Sequence, residues 1–118
     1  MTVLIVDDSP IIVTKLVELL EEVCTIKTIK SSDSYSDAVN SIDVHNPDVV
    51  LLDINLPDKS GIQLLRYVKN KKPLTRVIMV SNQNSTYYRN LCIDLGAEHF
   101  IDKSKDFEAI PSILSSLS

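Results

Sequence analysis

Three carboxylates, one hydroxyl and one ammonium stand at the ends of short aliphatic runs in this chain. Asp7 and Asp8 follow residues 3–6, Asp53 follows residues 49–52, Ser81 follows residues 77–80, and Lys103 closes the run that holds Phe100 and Ile101. Crowded carboxylates repel and raise one another's proton affinity unless a cation joins them. Hard oxygen donors with an open side suit Mg²⁺, which binds through one or two carboxylates and keeps several waters. A lysine adds a mobile point charge. Such a set fits phosphoryl transfer, where the protein mainly holds groups in line and neutralises charge on the equatorial oxygens. An aspartate can itself be the nucleophile, giving an acyl phosphate. The set is poor for acyl transfer, because His45 and His99 lie outside it and leave Ser81 without an imidazole base. Gly61 and Gly96 are the only glycines, so neither a dinucleotide fingerprint nor a Walker-type phosphate loop can be written.

The elements that must position these residues alternate from end to end. The first strand, residues 3–6, leads to Ser9 and Pro10, an N-cap followed by proline at the first helical position. Ile12, Leu16, Leu19, Leu20 and Val23 then recur at helical spacing. Residues 24–30 alternate apolar and polar through Cys24, Ile26 and Thr28, which predicts a half-exposed edge strand. Tyr35, Ala38, Val39 and Ile42 stripe a second helix. Residues 49–52 are uninterruptedly aliphatic, as in a strand buried on both faces. Leu56 and Pro57 open a loop that closes at Ser60 and Gly61, and Ile62, Leu65 and Val68 stripe a third helix. Tyr88, Leu91, Cys92 and Leu95 face a fourth, with Gly96 as its C-terminal cap. The last helix begins around Glu108, since Pro111 is tolerated only in a first turn. Five β–α units of this kind imply a parallel sheet covered by helices on both faces. Ligands of such sheets bind at the carboxyl ends of the strands, where all five chemical residues fall.

Composition excludes several classes. The 118 residues are 44% hydrophobic and 24% charged, those of a globular domain. Twelve basic against sixteen acidic residues give a net charge of −4, which disfavours broad attraction to nucleic acid or anionic membranes. Cys24 and Cys92 match no metal or redox spacing and read as reduced thiols in or near a core. No signal peptide or membrane-length apolar run is written, so a cytoplasmic location is expected. His45 and His99 read as surface or satisfied side chains, and Asp58 and Asp102 as solvated loop acids.

Taken in order, LIVDD, SP, VVLLDINLPDKSG, VIMVS and LGAEHFIDK resemble the receiver domains of two-component response regulators, including the single-domain chemotaxis type. The resemblance spans essentially all of residues 1–118 and implies a single receiver domain without an output domain. Its fold would be α/β, a doubly wound five-stranded parallel sheet flanked by five helices, flavodoxin-like with strand order 2-1-3-4-5. It implies that Asp53 accepts a phosphoryl group from a histidine kinase or phosphotransfer protein. Asp8 would bind Mg²⁺ directly, Asp7 mainly through water, and Asp53 and the Asn55 carbonyl would complete the ligands. Lys103 would pair with phosphoryl oxygens and Ser81 would move to hydrogen-bond one of them. Phe100 takes the aromatic switch position, its ring turning inward as Ser81 moves and reshaping the face made by helix four, strand five and helix five. Tyr87, Tyr88 and Arg89 are candidates to display that change to an output protein. No direct nucleic-acid or membrane contact by this domain is implied.

The chain departs from the pattern at Ser104, where the family usually has proline joined by a cis bond. A cis bond before serine costs about 3–4 kcal/mol, so the geometry of this loop is not carried over. Asn82 stands where a very small residue is usual. Two other readings use the same residues: a Mg²⁺-dependent phosphatase working through an aspartyl phosphate, and a phosphorylation-independent interaction domain. Multiple turnover on a phosphate ester would mark the first, a decayed pocket the second.

Overall fold

A computed structural model describes residues 1–83 and 85–117. The strands are β1 (Thr2–Val6), β2 (Thr28–Ser32), β3 (Val49–Leu52), β4 (Arg76–Ser81) and β5 (His99–Asp102). The helices are α1 (Pro10–Leu20), α2 (Tyr35–His45), α3 (Gly61–Lys71), α4 (Thr86–Asp94) and α5 (Ile110–Leu117), the last entered through a 3₁₀ turn, Phe107–Ala109. Local chemistry sets the helix ends. Ser9, Ser34, Ser60 and Ser85 each accept a backbone N–H from the first turn of α1, α2, α3 and α4, satisfying donors that a helix start leaves unpaired. Asn46 (φ 47°) and Gly96 (φ 109°) take the left-handed conformation that ends α2 and α4. Pro111 sits in the first turn of α5, where its missing N–H costs nothing.

The sheet runs β2-β1-β3-β4-β5 with every neighbouring pair parallel. Chain order therefore reverses at β1, and the crevice beyond the carboxyl ends of β1 and β3 is the topological switch point. Strand periodicity sorts the core into two layers. Leu4, Val6, Val50, Leu52, Val77 and Met79 pack with Ala38, Ile42, Leu64, Leu65, Val68 and Cys92 beneath α2, α3 and α4. Val3, Ile5, Val49, Leu51, Ile78 and Val80 pack with Leu16, Leu20, Ile110 and Leu114 beneath α1 and α5. The central strands are buried on both faces, as their aliphatic runs predict.

The edge strand differs from expectation. The alternation at 24–30 predicts a strand there, with Cys24, Ile26 and Thr28 inward. Instead β2 begins at Thr28, Cys24 is exposed in a turn, and Ile29 rather than Thr28 packs against the α1–α5 layer. Pairing with β1 decides this: Val3 opposite Ile29 sets the register, and a one-residue change of parity moves every side chain to the other face. Cys92 is buried as predicted. His45 is exposed in the last turn of α2 and His99 starts β5, so neither lies at the sheet's carboxyl edge. Among the described residues, no helix is long and apolar enough to cross a membrane.

Candidate functional site

Sheet hydrogen bonding continues one residue past three strands, and that is what converges the chemistry. Asp7 N–H donates to the Ser32 carbonyl at 3.1 Å, Asp53 N–H to the Val6 carbonyl at 3.0 Å, and Lys103 N–H to the Ser81 carbonyl at 3.1 Å. Asp7 and Asp53 are only 3% and 6% exposed, whereas Asp8 is exposed. One carboxylate oxygen from each of the three lies within 4.8 Å of the others. Lys103 reaches in from β5, its Nζ 2.6 Å from Asp7 Oδ2 and 3.1 Å from Asp53 Oδ2. Asp7 Oδ1 accepts the Ser9 N–H at 2.9 Å, tying the pocket to the start of α1.

The electrostatics follow from burial. Desolvation pushes the Asp53 carboxyl above the usual carboxylate range; the Lys103 ammonium opposes this and the Asp7 charge adds to it. Burial alone would lower the Lys103 pKa, but its bonds and charge pairing with Asp7 and Asp53 outweigh that and hold it above the ordinary lysine value. Two acids share one ammonium while Asp8 adds a third negative charge at the rim. Two buried oxygens and one exposed one form a hard donor set with an open side, which fits a divalent cation that keeps water ligands.

Ser81 is fully buried, and its Oγ accepts the Gln83 N–H at 3.1 Å. Asn55 is exposed, and its N–H donates to Asp53 Oδ1 at 3.4 Å. Asn82 is exposed beside this edge. Phe100 is 4% exposed, so its ring already lies inward while Ser81 is engaged with Gln83. Arg89 is half-buried and turned to β5: its guanidinium lies 5.1 Å from the Phe100 ring centroid and donates to the Phe100 carbonyl at 3.0 Å. Tyr87 is exposed and meets the half-buried Tyr88 edge-on, with ring centroids 5.3 Å apart. Of the three surface candidates, Tyr87 alone is exposed.

Two loop acids prove more than solvated side chains. Asp58 accepts the N–H groups of Tyr35 and Ser36 at 2.8 and 3.1 Å and the Ser36 hydroxyl at 3.1 Å. It thereby fastens the loop after Asp53 to the start of α2. Those backbone bonds hold its pKa at about 2. Lys59 beside it lies 4.8 Å from the Tyr35 ring centroid. Asp102, expected in solvent, is 3% exposed and accepts both the N–H and the hydroxyl of Ser104. The Asp-Lys-Ser spacing was its available signal, since a carboxylate readily takes an N–H two residues on. Apart from the adjacent Lys59 N–H, the partners of Asp58 are 22 and 23 positions away, so its tie to α2 has no local signal.

Residues 3–115 match the family model described as response regulator receiver domain. The fimbriae Z protein of Salmonella typhimurium is 31% identical over 121 residues, covering 99% of this chain and 58% of that protein. The DNA-binding transcriptional activator EvgA of Escherichia coli K12 is 28% identical over 110 residues, covering 93% and 53%. The chain thus spans about half the length of these curated relatives. Among solved structures, the isolated receiver domain of RcsB from Salmonella enterica serovar Typhimurium, in the presence of the phosphomimetic BeF3⁻, superposes with a TM-score of 0.92 at 25% identity. That match covers 99% of this chain and 87% of the other. The response regulator domain of CheB from Thermotoga maritima gives 0.84 at 29% identity, covering 99% and 92%.

Proposed function

The chain belongs to the response regulator receiver domain family, and from that premise we propose that it accepts a phosphoryl group on Asp53 from a histidine kinase or phosphotransfer protein. The observation that carries the proposal is the Lys103 ammonium bridging two buried carboxylates at the switch point. An Asp53 oxygen attacks phosphorus, an acyl phosphate forms and the bond to the donor's imidazole nitrogen breaks. Lys103 then exchanges its contacts with the carboxylates for phosphoryl oxygens, where it neutralises charge. Asp8, Asp7, Asp53 and the Asn55 carbonyl would hold Mg²⁺, which supplies Lewis-acid stabilisation of the transferring oxygens. Ser81 gives up the Gln83 N–H to donate its hydroxyl to a phosphoryl oxygen. The new bonds exist in only one state, so they shift the population of α4–β5–α5 arrangements.

Arg89 and Phe100 form the hinge of that face, and Tyr87 and Tyr88 present it to the output protein. The chemistry is slow and single-turnover, and the module works in the cytoplasm. Incubation with acetyl phosphate tests the reading: intact mass should rise by one phosphoryl group with Mg²⁺, and neither without it nor in Asp53→Asn. A chain that gains no mass and binds no beryllofluoride with Mg²⁺ present is not a working receiver.

A further inference from the structure

Lys103 can serve the pocket only if the chain on both sides of it is fixed, because a small backbone rotation would swing a four-carbon stem away by several ångströms. Upstream, its own N–H is held by the Ser81 carbonyl. Downstream, the holding group is a buried acid. Asp102 Oδ1 accepts the Ser104 N–H at 2.8 Å and the Ser104 hydroxyl at 2.7 Å. The Asp102 carbonyl accepts the N–H groups of Lys105 and Asp106 at 3.2 and 2.9 Å. No cis peptide bond occurs among the described residues, so this turn around Lys103 is built from trans peptides and side-chain bonds. Burying a carboxylate is costly unless it is hydrogen-bonded, and bonds to an ionised acceptor are the short, strong ones. Ser104 supplies two donors to one oxygen; alanine would supply one and proline none.

We propose that Asp102 and Ser104 are positioning residues for Lys103: their two-donor clamp spans the lysine and aims its ammonium at Asp7 and Asp53. The proposal rests on the reading of Asp53 as phosphoryl acceptor only for its functional consequence, since the clamp itself acts on the ligand-free pocket.

The test uses the whole chain. Nitrogen-15 NMR of the Lys103 ammonium, assigned by its loss in Lys103→Ala, reports whether Nζ is held between the carboxylates. Ser104→Ala should speed its hydrogen exchange roughly tenfold, and Ser104→Thr, which keeps both donors, should restore the protected signal. Beryllofluoride affinity in Mg²⁺ should fall about three- to tenfold in Ser104→Ala, within the range of one ordinary intramolecular hydrogen bond. In a Lys103→Ala background the same change should cost nothing further, because the two residues then act through a missing partner. An unchanged ammonium signal in Ser104→Ala, or an equal loss of affinity without Lys103, would overturn the clamp. Wild-type chain that binds no beryllofluoride overturns the phosphoryl reading instead, and the ammonium signal still decides the clamp.

Discussion

The start of α3 presses on the backbone of the proposed phosphoryl acceptor, which makes Gly61→Ala a direct probe of how Asp53 is held. A methyl at position 61 would lie 1.9 Å from the Asp53 carbonyl oxygen, 2.8 Å from its carbonyl carbon and 2.9 Å from Ile54 Cα. Side-chain carbons essentially never come closer than 3.0 Å, and all three neighbours are backbone. The loop and helix must therefore part by about an ångström, straining the 2.6 Å bond from Gly61 N–H to the Ile54 carbonyl. Overpacking of this kind costs about 1–3 kcal/mol, which lowers Tm by roughly 4–12 °C in a domain of this size. A misplacement of about 1 Å at a reacting group is worth roughly a hundredfold in rate. Thermal unfolding by circular dichroism reads the first quantity. The rate of mass gain from acetyl phosphate with Mg²⁺ reads the second, at a temperature well below the variant's Tm. A Gly61→Ala protein with wild-type Tm would refute the steric argument. One that is destabilised yet phosphorylated at the wild-type rate would refute the idea that α3 fixes Asp53.

Lys103→Ala leaves Asp7 and Asp53 buried without their counter-ion, so metal-free stability should drop by about 3–5 kcal/mol. Mg²⁺ affinity should rise at the same time, because the competing ammonium is gone; calorimetric titration checks both signs. In metal-free buffer at neutral pH, Asp53→Asn should raise Tm. Burial keeps the native Asp53 carboxyl above the ordinary value, so between the unfolded and native values native chains bind more protons than unfolded ones. Stability contributed by Asp53 therefore falls as pH rises between those two values, and the advantage of the amide should vanish below that interval. Asp58→Asn should lower Tm at neutral pH by weakening the tie to α2. With the native pKa of Asp58 at about 2, its contribution is present above the unfolded value, and the gap from wild type should close as pH falls through about 2.

The alternation of strands and helices and the start of α1 are legible from the chain because their causes are local, whereas the strand order comes with the family resemblance. Serine caps, Pro10 at a first helical position, aliphatic runs and Gly96 each act within a few residues. The convergence of Asp7, Asp53, Ser81 and Lys103 on one edge of the sheet follows once strands are parallel and their ends are read in order. What the chain hides is settled by partners distant in sequence. The register of β2 depends on Val3 facing Ile29, and a weak alternation of Cys24, Ile26 and Thr28 carries no information about it. Asp58 looks like any loop acid until α2 folds above it. Arg89 reads as a surface cation on a helix, yet its guanidinium is spent on the ring and carbonyl of Phe100.

The two borders of the sheet bear on how this module is wired. β2 is five residues long, mostly exposed and polar, with Lys30 outward, and β5 is only four residues long. Short, charged borders of this kind offer little template for strand addition. On the proposed receiver reading, recognition would fall to helix side chains such as Tyr87, which is 69% exposed, instead of to backbone groups that every sequence shares. Partner identity would thereby be written in residues that hold neither the core nor the acidic pocket together. On that reading, new connections would be made by changing the surface while the proposed phosphoryl chemistry stays intact, an insulation of circuitry from chemistry that the sheet's own borders would enforce.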